Sequence, residues 1–228
     1  MTERFFLEFR PWRETHIREF AENANKRLIK FGSEKIVVNH MTLYGPSETK
    51  DLDKIARKVE EVAKDFELVK VKTDGFDYFN NSDKKWVFIR VKSNQKLENL
   101  RYKLYQALCK LAPPQPWDKE RSYKFHISIG KTSKGNTFNK LRHIVNQWSS
   151  PEIEQFLLRI CIINGQGKIH KEYDLIQGRL LSRREALSRR EKDVTLQGLR
   201  RLLVNSEFHP RRISLSNRIE TFLSKLFG

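Results

Sequence analysis

Apolar residues in this chain change their spacing from one stretch to the next, and the changes mark out its elements. "RFFLEFR", residues 4–10, is short and rich in aromatics, as a strand would be. From Thr15, Ile17, Phe20, Ala21, Ala24, Leu28 and Phe31 recur at helical spacing, and Gly32 supplies a stop. "KIVVNHMTLYGP" is β-branched and reads as a strand ending at Gly45-Pro46. After Asp51 the positions Leu52, Ile55, Ala56, Val59, Val62, Ala63 and Phe66 form one helical face, and "ELVKVKTDGFDYF" alternates like strand and turn.

The second half repeats this order. "KWVFIRVK" is a strand, and Leu97, Leu100, Leu104, Leu108 and Leu111 make a helical stripe that "APPQPWDKE" breaks. "RSYKFHISIGK" is again a strand, followed by a helix through Phe138, Leu141, Ile144, Val145 and Trp148 with Thr137 as its expected N-cap. "EQFLLRICIIN", a "GQGK" turn and "IHKEYDLI" predict a closing hairpin. Each half thus runs helix, strand, helix. The expected fold is α+β, two copies of one unit that place their equivalent motifs on either side of a shared cleft.

Beyond residue 178 the pattern changes, so the chain divides into 1–178 and a helical C-terminal extension, 179–228. The extension has twelve Lys or Arg against five Asp or Glu. Ser182 with Glu185 three later is a capping-box pattern. Leu215, Ile219, Phe222, Leu223 and Leu226 predict a final amphipathic helix.

The two central strands carry the candidate chemistry. "HMTLYG" begins at His40 and "HISIGK" at His126; each has a His, an apolar residue, a hydroxyl residue, an aliphatic residue and a nearby Gly. With six histidines and this Ser/Thr content, about 0.6 His-x-Ser/Thr matches arise by chance, so the weight lies in the context: both copies sit in apolar strands, in matching halves. Alternation puts His40 and Thr42 on one face, roughly 6.6 Å apart along the strand, and His126 and Ser128 likewise. Tyr44 falls on the His40 face by the same count, either to stack on a base or to pack at the cleft edge. Two facing imidazoles suit phosphoryl transfer, one taking a proton from the nucleophile and the other giving one to the leaving oxygen. The hydroxyls of Thr42 and Ser128 can donate to the non-bridging phosphate oxygens. No metal or other cofactor is expected, since the sequence shows no zinc spacing and no compelling ligand cluster.

Bulk properties narrow the partner. A formal charge of +17 points to an anion, nucleic acid by default. Cys109 and Cys161 both lie in apolar runs and read as buried, reduced thiols, which suggests a cytoplasmic protein. The first residues are not expected to form a signal peptide, and no apolar run approaches a membrane span.

The paired motifs resemble those of the 2H phosphoesterase superfamily, which includes RNA 2',3'-cyclic phosphodiesterases and the enzymes called 2',5' RNA ligases. His40, Thr42, His126 and Ser128 match the family's His-x-Thr/Ser-x pattern position by position. "RFFLEFRP" is similar to its opening strand and "IINGQGKIHKEYDLI" to its closing hairpin, so the resemblance covers roughly residues 1–178 and implies two pseudo-symmetric lobes whose antiparallel sheets line a central cleft, with helices outside. It implies hydrolysis of a 2',3'-cyclic phosphate on an RNA end or nucleotide to a 2'-phosphate; of the two histidines, His126 is favoured as base and His40 as acid. Thr42, Ser128 and Lys131, in the place of a basic residue common after the second motif, would hold the phosphate. The alternatives are 2',5' ligation, the related chemistry in reverse, and an RNA-binding protein without turnover. The extension, outside the family's minimal domain, is expected either to cover the main domain as a small helical pack or to touch RNA.

Overall fold

The computed structural model describes residues 2–12, 15–80 and 83–207; the helix expected over 215–226 lies outside them. In chain order the elements are β1 (Glu3–Phe9), α1 (His16–Ile29), β2 (Met41–Thr49), α2 (Leu52–Ala63), β3 (Val69–Asn80), β4 (Lys85–Lys92), α3 (Gln95–Leu108), β5 (His126–Thr132), α4 (Gly135–Asn146), β6 (Glu154–Leu157), β7 (Arg159–Asn164), β8 (Ile169–Asp174), β9 (Arg179–Ser182), α5 (Arg183–Leu187) and α6 (Arg189–Glu207). They build two antiparallel sheets, ordered β2-β1-β7-β8-β9 and β5-β4-β3-β6. Both strands that carry the paired motifs are therefore edge strands, one per sheet.

The apolar stripes of the sequence are the buried faces of the helices. Leu52, Ile55, Ala56, Val59 and Ala63 of α2 and Leu97, Leu100, Leu104 and Leu108 of α3 are buried. Asp51 and Asn94 cap these helices by accepting from Lys54 N at 2.9 Å and Leu97 N at 3.0 Å. The helices are exchanged between the lobes. α1, which precedes β2, packs on β5, and α3, which precedes β5, packs on β2. Each motif strand is thus backed by the helix leading into the other motif, and the two halves share one core.

Several expectations change. Residues 35–40 approach β2 as irregular chain rather than as strand. Thr137 lies inside the first turn of α4, whose N-cap is Lys134. "EQFLLRICIIN" is two strands in different sheets, because the chain crosses from one lobe to the other at Leu158. The boundary at 178 is also crossed: β9 pairs with β8, so the extension completes the first sheet. Ser182 and Glu185 do form a capping box, on α5. α6 then docks Leu199 and Leu203 on Leu158, with Trp12, Leu68, Phe156 and Ile176 around them. Arg159 of β7 ties the extension down, donating to Ala186 O at 3.0 Å, Glu191 O at 3.0 Å and Thr195 Oγ1 at 2.8 Å while paired with Asp174 at 2.9 Å. No helix among the described residues is long and apolar enough to cross a membrane.

A buried ionic group braces β2 just past its motif. Gly45 has a φ of +92°, a conformation that favours glycine, and its N–H points at the Asp118 carboxylate, with oxygens at 3.2 and 3.3 Å. Asp118 also accepts from Gln115 N at 2.9 Å. Arg101 lies 3.8 Å from Asp118, stacks on Tyr123 with its guanidinium carbon 3.8 Å from the ring centroid, and donates to Glu120 O and Trp117 O at 2.7 and 2.5 Å. Both side chains are 2% exposed. Removing one partner strands the other charge, so Arg101→Ala is expected to cost about 3–5 kcal/mol in urea unfolding. An unchanged midpoint would show that the brace contributes nothing.

Candidate active site

The site lies where the two sheet edges meet. Asn39, the residue before His40, donates from Nδ2 to Ser128 O at 2.8 Å. Asn25 of α1 donates to Ile129 O at 2.8 Å and accepts from Ile36 N at 3.2 Å. Glu34 and Lys131 form an isolated antiparallel bridge, with Glu34 N donating to Lys131 O at 2.8 Å, and Lys131 N donates to Ser33 Oγ at 3.1 Å. The segment before the first motif is thereby laced along the strand of the second.

Each motif strand carries one extra residue at the same place. Glu8 pairs with Thr42 and Leu7 with Tyr44, leaving Leu43 unpaired; Phe88 pairs with Ser128 and Val87 with Gly130, leaving Ile129 unpaired. A bulge shifts every later side chain to the other face. Tyr44 accordingly turns into the core: it is fully buried, stacks against Phe5 at 6.1 Å between centroids, and donates its hydroxyl to Ala112 O at 2.8 Å. Burial drives its phenol well above the ordinary range. The expected role for Tyr44 at the cleft is withdrawn. Its counterpart Gly130 is small for the same reason, since a Cβ there would lie 3.0 Å from Leu28 and 3.1 Å from Ser33 Oγ. The bulge brings Lys131 round to the face of His126 and Ser128, opposite Trp86. Its ammonium rests 3.2 Å from Glu34 and 5.8 Å from the Trp86 ring centroid.

The four motif side chains are partly exposed on the cleft faces. Both imidazoles are held alike: His40 Nδ1 lies 3.0 Å from Val38 O and His126 Nδ1 2.8 Å from Lys124 O, each the carbonyl two residues back. A carbonyl accepts only, so Nδ1 carries the proton in both rings and Nε2 is the working nitrogen. Neither the Thr42 nor the Ser128 hydroxyl bonds a protein group among the described residues, and both can donate to a bound anion.

The surroundings of the two rings differ. His126 sits between Phe79 and Phe88, with both centroids 4.9 Å away. This burial pushes its imidazolium below the ordinary value of about 6.5; the bond to Lys124 O opposes the shift, and the charges of His40 and Lys124 add to it. His126 is therefore neutral at neutral pH and suited to accept a proton. His40 has the Glu8 carboxylate 3.5 Å from Nε2. Glu8, Asn39 and the Phe79–Phe88 wall belong to no motif and were not expected at the site. The one signal in the sequence was a charged Glu8, and Arg10 two residues on, inside an otherwise aromatic strand.

If His126 is the base, the rate falls on the acid side as it gains a proton, and its lowered value carries that limb below the ordinary histidine range. Phe79→Ala admits water to the ring, so the acid limb of the kcat/KM profile is expected to move up toward the ordinary value. An unmoved limb would remove His126 as the group it reports.

The model of the 2'-5' RNA ligase superfamily matches residues 11–163. No curated protein matches the chain. Solved structures similar in fold include Usb1 of Kluyveromyces marxianus, at 11% identity and TM-score 0.44, covering 72% of this chain and 96% of that one. A second form of that Usb1, with uridine monophosphate, gives 12% and 0.46 over the same shares. A phosphoesterase gives 13% and 0.47, covering 80% of this chain and 94% of its own.

Proposed function

This chain belongs to the 2'-5' RNA ligase superfamily, a group of phosphoesterases, and we propose that it hydrolyses the 2',3'-cyclic phosphate of an RNA end or nucleotide to a 2'-phosphate. The observation that carries the reading is the matched pair of imidazoles, each with Nδ1 committed to a carbonyl and Nε2 left to work. Water attacks phosphorus and gives its proton to His126. The bond from phosphorus to the ribose 3'-oxygen breaks, and His40 protonates that oxygen. Thr42 and Ser128 hold the non-bridging oxygens, whose charge grows in the transition state, and Lys131 adds a cation once a phosphate draws it from Glu34. Both cysteines are free thiols, which suits a reducing compartment such as the cytoplasm.

His40→Ala and His126→Ala are each expected to lower kcat on cytidine 2',3'-cyclic phosphate about 10²–10⁴-fold. The melting temperature should hold, because neither side chain fills the core. Turnover within twofold of the parent by either variant would take that histidine out of the mechanism.

The extension is read as an RNA contact as well as a structural cover. Its inner side docks through Leu199 and Leu203, while Arg183, Arg184, Arg189 and Arg190 are exposed. Replacing these four by Gln is expected to weaken binding of long single-stranded RNA across sequences, and to flatten log K against log[salt] by about 0.7 for each phosphate that is no longer neutralised. Turnover of the mononucleotide should stay as it was. An unchanged slope with an intact fold would leave the extension as cover alone.

A further inference from the structure

The two lobes repeat each other's backbone around the motifs, but the side chain opposite the motif hydroxyl differs. By register, Glu8 on β1 stands opposite Thr42 as Phe88 on β4 stands opposite Ser128. Two residues on, Arg10 matches Arg90; two residues back, Phe6 matches Trp86. The middle position alone exchanges a carboxylate for an aromatic ring. The first histidine therefore has an anion beside it and the second has a hydrocarbon wall.

Glu8 is 4% exposed, so its charge requires partners. Oε2 accepts from Arg10 Nε at 2.8 Å, and Oε1 lies 3.5 Å from His40 Nε2. The other groups around it are otherwise engaged. Cys161 of β7, its cross-strand neighbour, donates its thiol to Glu172 Oε1 at 3.1 Å. Glu172 in turn faces Arg159 at 3.2 Å, so its charge is taken up away from His40. Asn39 is neutral and committed to Ser128 O. Across the cleft stands His126, whose charge state responds to that of His40.

We propose that Glu8 is a positioning residue that divides the labour between the two histidines, serving as the counter-ion of His40 when both ring nitrogens carry protons, while Phe88 at the matching place leaves His126 as the proton acceptor. This deepens the ring-opening reading and rests on it. In each turnover His40 loses its Nε2 proton to the departing 3'-oxygen as the phosphorus–oxygen bond breaks, and His126 gains the proton of the attacking water. The product is a 2'-monophosphate with a 3'-hydroxyl. A neutral His40 then presents an Nε2 lone pair to a buried carboxylate, a repulsive contact that favours its recharging from solvent. Arg10 competes with His40 for the same carboxylate.

The test uses the full chain as parent, E8Q and R10M. It reads the pH profile of kcat on cytidine 2',3'-cyclic phosphate and, without substrate, the titration of His40 by nitrogen NMR. E8Q is expected to move the alkaline limb and the His40 midpoint to lower pH, with a loss of tenfold or more on the alkaline side and less than twofold near the acid limb. R10M is expected to move both to higher pH. Opposite shifts cannot come from a loosened fold. A loss uniform over pH with both limbs in place would overturn the proposal and leave Glu8 as a structural residue. If the parent fails to turn over the nucleotide, the ring-opening reading fails by itself; the titration still decides Glu8, and a His40 midpoint unmoved in both variants overturns its role.

Discussion

The site depends on the closure of two sheet edges against each other, and the Asn39 amide on the Ser128 carbonyl is the bond that fixes their alignment. Edge strands present unpaired backbone groups that must be covered or paired. Here β2 and β5 come together with their motif faces toward one cleft, and the segment before His40 covers the edge of β5 through Ser33, Glu34 and Asn25. The exchanged helices make the closure rigid. α1 and α3 each back the opposite lobe's motif strand, so neither lobe can swing away without opening the shared core.

On that frame the proposed reaction gives the repeated motif two different tasks. Matching registers ahead of the bulges at Leu43 and Ile129 set both hydroxyls on the faces of their histidines, and the two Nδ1–carbonyl bonds select the same tautomer. Acid–base catalysis in one direction needs the opposite, a donor and an acceptor. What stands behind each ring differs: aromatic walls at His126, a carboxylate at His40. In the proposed reaction, symmetric geometry would position the phosphate and asymmetric surroundings would set the direction of proton flow.

Much of this was legible in the chain. The helical stripes, the two motif strands and the capping box at Ser182 follow from spacing and local chemistry. Tyr44 was misplaced because strict alternation assumes an unbroken ladder, and the extra residue at Leu43 appears only when β2 is paired with β1. The division of "EQFLLRICIIN" at Leu158 was hidden similarly, since two consecutive buried strands in different sheets give one continuous apolar run. β9 is four residues long and sits in an arginine-rich stretch, so charge masked its place in the sheet. Glu8 went unseen because a buried carboxylate is defined by partners, and His40 is its neighbour only across the sheet.

The central claim is that paired histidines open a cyclic phosphate by adding water at phosphorus. The most direct measurement is phosphorus NMR and mass analysis of an RNA ending in a 2',3'-cyclic phosphate after incubation in ¹⁸O-labelled water. The account predicts a 2'-monophosphate carrying one ¹⁸O from solvent. An intact cyclic end, or a 3'-monophosphate formed by cleavage at the 2'-oxygen, would contradict it.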